Sequence, residues 1–167
     1  LQSASVRIVT PSSRLAMPEI SIGLYPDVGA SWFLSRLPGK LGLFLGLTGA
    51  HINGRDALDL GLADRFLRDD QQDELLGGLL QLNWQEQTAM QLNSLLKALA
   101  QEAVDQQPEA QWLPRRAQID AWLDVGDVQG AWRALSPLRE HSDPLFSRAG
   151  KTLSEGCPLT AHLVWEQ

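Results

Sequence analysis

The chain has 167 residues, of which 44% are hydrophobic, so it is long enough to bury the core of a domain. Its formal net charge of −6 argues against nucleic acid or an anionic membrane surface as its main partner. The single cysteine excludes an intrachain disulfide, and no apolar run approaches the roughly 20 residues that span a bilayer, so we expect a cytoplasmic protein without a membrane partner.

The first part of the chain predicts short strands that alternate with helices. Its β-branched and apolar runs suit strands, and glycines end the predicted helices. In chain order the predicted elements are a strand over Val6–Thr10, helices over Ala30–Leu37 and Leu41–Leu47, a short helix over Arg55–Leu60 capped by Asn53, and a strand over Ala63–Leu67. This pattern is typical of an α/β core.

From residue 68 onward the pattern becomes helical. One amphipathic helix is indicated by leucines at positions i, i+3, i+4 and i+7, namely Leu92, Leu95, Leu96 and Leu99. Asp70, Asp127 and Asp143 are predicted N-caps of three further helices. The sequence therefore predicts a core region over residues 1–67 and a helical C-terminal region over residues 68–167.

Two carboxylates, Glu19 and Asp27, stand in a run of apolar residues, prolines and glycines at positions 17–31. Carboxylates in such a run must be solvated, paired or used, because an isolated buried carboxylate is unfavourable. Each acid has a proline directly beside it, which favours a rigid, non-helical path that leads into a helix near Ala30. Considered alone, the residues leave two interpretations open. The acids form a catalytic pair, or Glu19 caps a turn and Asp27 caps the following helix.

Three segments carry a resemblance to a known family: AMPEISIGLYPDVG at 16–29, FLSRLPG at 33–39 and LGLTG at 45–49. Together they resemble the crotonase (enoyl-CoA hydratase/isomerase) superfamily, and more narrowly its 3-hydroxyisobutyryl-CoA hydrolase branch. The distinguishing residue is Asp27, because hydratases of the superfamily usually carry a small residue there. The resemblance implies the C-terminal part of a crotonase-like spiral α/β fold, mostly helical with a few short strands, in a fragment that lacks the N-terminal half.

The resemblance also implies an activity. Glu19 and Asp27 match the catalytic acids of an enzyme that hydrolyses a short, branched 3-hydroxyacyl thioester of coenzyme A, a step of valine breakdown in the family. Residues expected to contact the acyl-CoA substrate stand around Asp27, namely Pro26, Val28, Gly29 and Trp32. Coenzyme A is then part of the substrate, no cofactor is implied, and a homo-oligomer is possible. Because the family's oxyanion-hole donors lie upstream of the match, we expect the isolated 167-residue chain to be inactive.

Two other functions stay open at this point. An enoyl-CoA hydratase or isomerase would use Glu19 as an acid/base group, and a noncatalytic helical interaction module would use both acids as caps. The three histidines are too far apart in the sequence to predict a metal site, and no Gly-x-Ser-x-Gly or phosphate-binding glycine motif occurs.

Overall fold

A computed structural model describes residues 2–167 as a mostly helical chain with a few very short strands. The strands are β1 (Ile8–Val9), β2 (Arg14–Leu15), β3 (Ile52–Asn53) and β4 (Arg65–Phe66). The helices are α1 (Ala30–Leu34), α2 (Leu41–Thr48), α3 (Gly54–Asp59), α4 (Gln72–Gln81), α5 (Thr88–Glu102), α6 (Arg116–Trp122), α7 (Val128–Leu135), α8 (Pro144–Glu155) and α9 (Pro158–Glu166). Short 3₁₀ helices lie at Pro18–Ser21, Asp69–Gln71, Val104–Gln106, Leu113–Arg115 and Ser136–Glu140. The predicted α/β class with few strands is confirmed.

Strands β1 and β4 pair in parallel, with Ile8 opposite Arg65 and Val9 opposite Phe66. Both lie inside the two segments whose β-branched and apolar residues predicted strands. Strands β2 and β3 form a second two-stranded sheet. None of the described helices is long and apolar enough to cross a membrane.

Most predicted helix starts are correct because their caps are local. Asp127 accepts a hydrogen bond from the Gly130 N–H at 2.6 Å and caps α7, and Asp143 accepts one from the Leu145 N–H at 2.9 Å and caps α8. The prediction for Asp70 is wrong. Its carboxylate accepts a hydrogen bond from Arg68 Nε at 2.8 Å, inside a 3₁₀ turn that precedes α4.

The described residues form two compact units by contact, one with residues 53–110 and the described part of 1–14, the other with residues 15–52 and 111–167. We call them the first and the second unit. This grouping does not test the predicted division at residue 67, which stays a prediction. The first unit buries Val9, Ala57, Leu60, Leu62, Ala63, Phe66, Leu67, Leu96, Leu99 and Ala103.

The second unit contains both candidate acids, and its core is aromatic. Phe146 of α8 has its ring centroid 4.8 Å from that of Trp122 and 5.1 Å from that of His141, in edge-to-face arrangements. Phe44 of α2 lies 5.2 Å from Trp112 by ring centroids, and both rings are almost fully buried. The ring of Phe44 also lies 6.3 Å from that of Phe146, so aromatic contacts join α2, α6 and α8 into the frame that carries the acid-bearing segment.

Candidate active site

Glu19 lies in the 3₁₀ helix Pro18–Ser21, which we call the Glu19 turn. Pro18 occupies its first position, where a fixed φ and a missing N–H are tolerated. The carbonyl of Glu19 accepts hydrogen bonds from the N–H groups of Ile22 and Leu24, each at 3.1 Å. The prediction of a non-helical path is therefore wrong over these four residues, because a proline at the first position favours a helical turn as readily as an extended chain.

The carboxylate of Glu19 lacks the hydrogen bonds that buried carboxylates normally make. Its Oε2 atom is buried and has no hydrogen-bond partner among the described residues. A buried, unpaired polar atom is unfavourable, and native structures keep few of them. No described group is capped by this side chain, so the interpretation of Glu19 as a turn cap is wrong. An acceptor that folding leaves unsatisfied is suited to receive a proton or bind a reacting group.

Asp27 is exposed, and its side chain does not cap α1. The N-cap of α1 is Gly29, and no side chain donates or accepts a capping bond there. Only the backbone takes part, since the Ala30 N–H donates to the Asp27 carbonyl at 2.8 Å. The interpretation of Asp27 as an N-cap is therefore wrong. Its carboxylate remains available to solvent and to a ligand.

The backbone next to Asp27 is strained. Val28 has a φ of +44° and Gly29 a φ of +83°, so two successive residues occupy the left-handed region. Glycine adopts this region easily, whereas a β-branched residue there is an outlier. The Val28 side chain is 84% exposed and gains no burial in return. Strain without a packing benefit is found most often at functional sites.

The four predicted substrate contacts surround Asp27 but differ in exposure. Val28, Gly29 and Trp32 are exposed, whereas Pro26 is buried. Trp32 is 60% exposed, and the Arg36 guanidinium lies 4.0 Å from the centroid of its ring. Their role in substrate binding stays a prediction, supported by an exposed apolar surface at this segment.

Sequence reasoning missed the residues that hold the Glu19 turn. The N–H of Cys157, at the start of α9, donates to the Ile20 carbonyl at 2.9 Å. Gly49 and Gly156 leave room for the same turn. In the sequence Cys157 is only a single cysteine. In the structure the pKa of its thiol is lowered mainly by a hydrogen bond from the Thr160 N–H. No local pattern links residues so distant in the chain to Glu19.

Metal binding finds no support in the described part of the chain, where no three His, Cys, Asp or Glu side chains come together as ligands. The available groups are two carboxylates in different surroundings, one partly buried and one exposed. Such a pair is suited to acid/base or nucleophilic chemistry.

The chain has relatives among known proteins. The sequence pattern of the enoyl-CoA hydratase/isomerase family matches residues 1–167. The mitochondrial 3-hydroxyisobutyryl-CoA hydrolase of Danio rerio is 32% identical in an alignment of 168 positions, which covers 96% of this chain and 41% of that protein. The probable 3-hydroxyisobutyryl-CoA hydrolase 3 of Arabidopsis thaliana is 57% identical over 61 residues, 36% of this chain and 16% of that protein.

A solved structure is similar over almost the whole chain. The carnitinyl-CoA dehydratase of Mycobacterium thermoresistibile superposes with a TM-score of 0.78 at 33% identity, covering 98% of this chain and 44% of that one. The chain thus spans about two fifths of the length of the relatives that it matches along its whole extent. With the family pattern matched from residue 1 to residue 167, the chain belongs to the enoyl-CoA hydratase/isomerase family and has its crotonase-like fold.

Proposed function

We propose that the whole protein hydrolyses a short, branched 3-hydroxyacyl thioester of coenzyme A, with Glu19 and Asp27 as its catalytic acids. The observation that carries the proposal is the buried Glu19 Oε2 atom without a hydrogen-bond partner. The substrate class is supported by relatives that are named 3-hydroxyisobutyryl-CoA hydrolases. The presence of Asp27 favours hydrolysis over hydration, because a small residue is usual at that position in hydratases.

Hydrolysis adds water across the C–S bond of the thioester and yields the free acid and coenzyme A. One carboxylate either removes a proton from the attacking water or attacks the carbonyl itself, which gives an anhydride that water then opens. In the first route the proton removed from water passes to the departing thiolate. In the second route the thiolate leaves as the anhydride forms, and it takes up the proton that is released when water opens the anhydride. Glu19 fits the role of base or nucleophile because one oxygen of its carboxylate is unpaired and shielded from bulk water. Asp27 fits the transfer of the proton to the thiolate because its carboxylate is exposed and accessible to a ligand.

The test is thiol release from 3-hydroxyisobutyryl-CoA by the whole protein, measured with a thiol-specific dye. Glu19→Gln and Asp27→Asn should each lower kcat by about 100-fold or more, the usual contribution of a positioned acid or base. Glu74→Gln and Asp73→Asn are matched controls on the exposed face of α4 and should keep the full rate. A Glu19→Gln variant with the rate of the controls would overturn the proposal.

Hydration of an enoyl thioester is the second candidate, and the likeness to a carnitinyl-CoA dehydratase supports it. In that reaction Glu19 would still exchange a proton, but Asp27 would not be needed. Loss of enoyl absorbance without thiol release, retained in Asp27→Asn, would favour hydration. Thiol release that depends on both acids would favour hydrolysis.

The proposal places the reaction in valine breakdown and assigns Pro26, Val28, Gly29 and Trp32 to the acyl site. A cytoplasmic location and a homo-oligomeric state stay predictions. The Danio rerio relative is named as mitochondrial, so fractionation of cells that express the tagged whole protein is the direct test of location.

A further inference from the structure

The end of helix α2 lies directly against the Glu19 turn. Gly49 follows α2 with a φ of +59°, and its N–H donates to the Leu45 carbonyl at 2.9 Å. A Cβ on Gly49 would stand 3.1 Å from Pro18 Cα and 3.4 Å from the Met17 carbonyl oxygen. Both the left-handed conformation and the close approach of backbone to backbone therefore favour glycine here.

The junction between α8 and α9 lies against the same turn. A Cβ on Gly156 would stand 2.6 Å from Ile20 Cγ1 and 3.2 Å from the Ile20 carbonyl oxygen. A third close atom, the Thr152 carbonyl oxygen at 2.9 Å, belongs to α8 itself. The φ of Gly156 is −80°, an ordinary value, so the backbone conformation would accept alanine and only the contacts exclude it.

Ile20 connects these contacts to Glu19. Its side chain is completely buried, and its carbonyl accepts the hydrogen bond from the Cys157 N–H at 2.9 Å. Side chain and backbone of Ile20 are thus both fixed, and Ile20 is the next residue after Glu19. By contrast, Glu19 Oε2 makes no hydrogen bond that could orient it. The direction of the carboxylate is therefore set by the backbone of the turn and by the packing around the side chain.

We propose that Gly156, together with Gly49 at another point of the turn, is a positioning residue that orients the Glu19 carboxylate toward the thioester. The inference rests on the proposed function, since it concerns the same acid. It assigns a role in the reaction to the junction of α8 and α9, more than 130 positions from Glu19 in the sequence. A glycine has no side chain that could take part in the reaction, so each acts through the Glu19 turn.

The experiment compares kcat and KM of the whole protein and its Gly156→Ala variant for thiol release from 3-hydroxyisobutyryl-CoA. A displacement of the reacting group by about 1 Å costs up to about 100-fold in rate, so we expect kcat to fall about 10- to 100-fold. KM should stay within about twofold, because Glu19 acts on the reacting centre and not on the rest of the substrate.

Gly150→Ala is the matched control. Gly150 lies on the same helix, α8, and a Cβ there would collide with the backbone nitrogen of Arg139 and stand 2.7 Å from the Leu138 carbonyl carbon. It should lower the melting temperature at least as much as Gly156→Ala, yet leave kcat unchanged when both variants are assayed well below unfolding. Should Gly156→Ala fail to fold, Gly49→Ala approaches the turn from α2 and is expected to give the same fall in kcat.

The outcomes separate this inference from the proposed function. If Glu19→Gln keeps its activity, the proposed function fails and the positioning role fails with it. If Glu19→Gln is inactive while a folded Gly156→Ala or Gly49→Ala variant keeps its kcat, only the positioning role is overturned. Equal losses of kcat in Gly156→Ala and Gly150→Ala would also overturn it, since they would show a general effect of destabilisation.

Discussion

Replacing Asp64 with asparagine should lower the free energy of unfolding at neutral pH and have little effect near pH 2. Asp64 immediately precedes β4 and pairs with Arg7, immediately before β1. Arg7 Nη2 lies 2.8 Å from Asp64 Oδ1 and Arg7 Nε 2.9 Å from Asp64 Oδ2. The Arg7 N–H donates to the same carboxylate at 2.8 Å. Three donors from one residue thus hold the two strand ends together.

These contacts set the pKa of the carboxylate. The hydrogen bonds from the Arg7 side chain lower the pKa of Asp64 from 3.8 to about 2, against the opposing effect of partial burial. Because the pKa is lower in the folded state, the unfolded chain binds more protons between these two values. The stabilisation is therefore complete above about pH 4 and is lost as the pH falls toward about 2.

The size of the stabilisation follows from the pKa shift of Asp64 and from the solvent exposure of the ion pair. One pKa unit corresponds to about 1.4 kcal/mol, so the full shift would be worth about 2.5 kcal/mol. The side chains of Arg7 and Asp64 are 19% and 34% exposed, and water screens their attraction. We therefore expect Asp64→Asn to lose about 1 to 1.5 kcal/mol at pH 7.

Urea unfolding followed by circular dichroism at pH 7, 4 and 2.5 measures this difference. Asp59→Asn is the control, since Asp59 pairs with Arg55 one turn away on α3, where an exposed pair is worth about 0.3 to 0.5 kcal/mol. A penalty for Asp64→Asn that is the same at pH 2.5 and pH 7, or no larger than that of Asp59→Asn, would refute the reasoning.

Two further substitutions test whether the candidate site is kept at the expense of stability. Val28→Gly should raise the free energy of unfolding by about 0.5 to 1 kcal/mol in urea titrations. The reason is that relief of the positive φ exceeds the effect of the added freedom of the unfolded chain. A lower free energy of unfolding would contradict the claim that the backbone at Val28 is strained. Glu19→Met should abolish thiol release and raise the free energy of unfolding by about 1 kcal/mol, because it removes a buried carboxylate oxygen without a partner. An inactive variant that is also clearly less stable would instead indicate that Glu19 supports the fold.

Sequence alone could predict those parts of the fold that depend on neighbours in the chain. Asn53 illustrates this, since its Oδ1 accepts from the Asp56 N–H at 2.9 Å while its own N–H donates to Asp56 Oδ2 at 3.2 Å, three positions away. Asp70 shows the limit of such reasoning. It has the residue type of a cap, but Arg68 binds its carboxylate and α4 begins after a 3₁₀ turn. The prediction fails because Arg68, two positions away, binds the carboxylate that was expected to cap the helix.

The candidate site also has a part that the sequence could predict and a part that it could not. Glu19 and Asp27 could be selected from their setting among prolines, glycines and apolar residues, and the structure shows that neither serves as the cap that was the other interpretation. The contacts that hold the Glu19 turn could not be predicted. Gly49 and Gly156 contact this turn from the ends of two different helices. A glycine has no side chain whose chemistry would indicate such a contact in the sequence.

Three departures from good packing fall close together in the segment of residues 17–32. Glu19 leaves a buried carboxylate oxygen unsatisfied, Val28 adopts a positive φ, and Trp32 exposes most of a large apolar ring. Each departure is unfavourable to folding, and natural sequences keep such departures mainly where function requires them. The aromatic core of the second unit shows the opposite, with Phe44, Trp112 and Phe146 closely packed and almost fully buried. A frame this well packed can hold an unfavourable segment in place, and Ile20, buried beside Glu19, is the point at which the two meet.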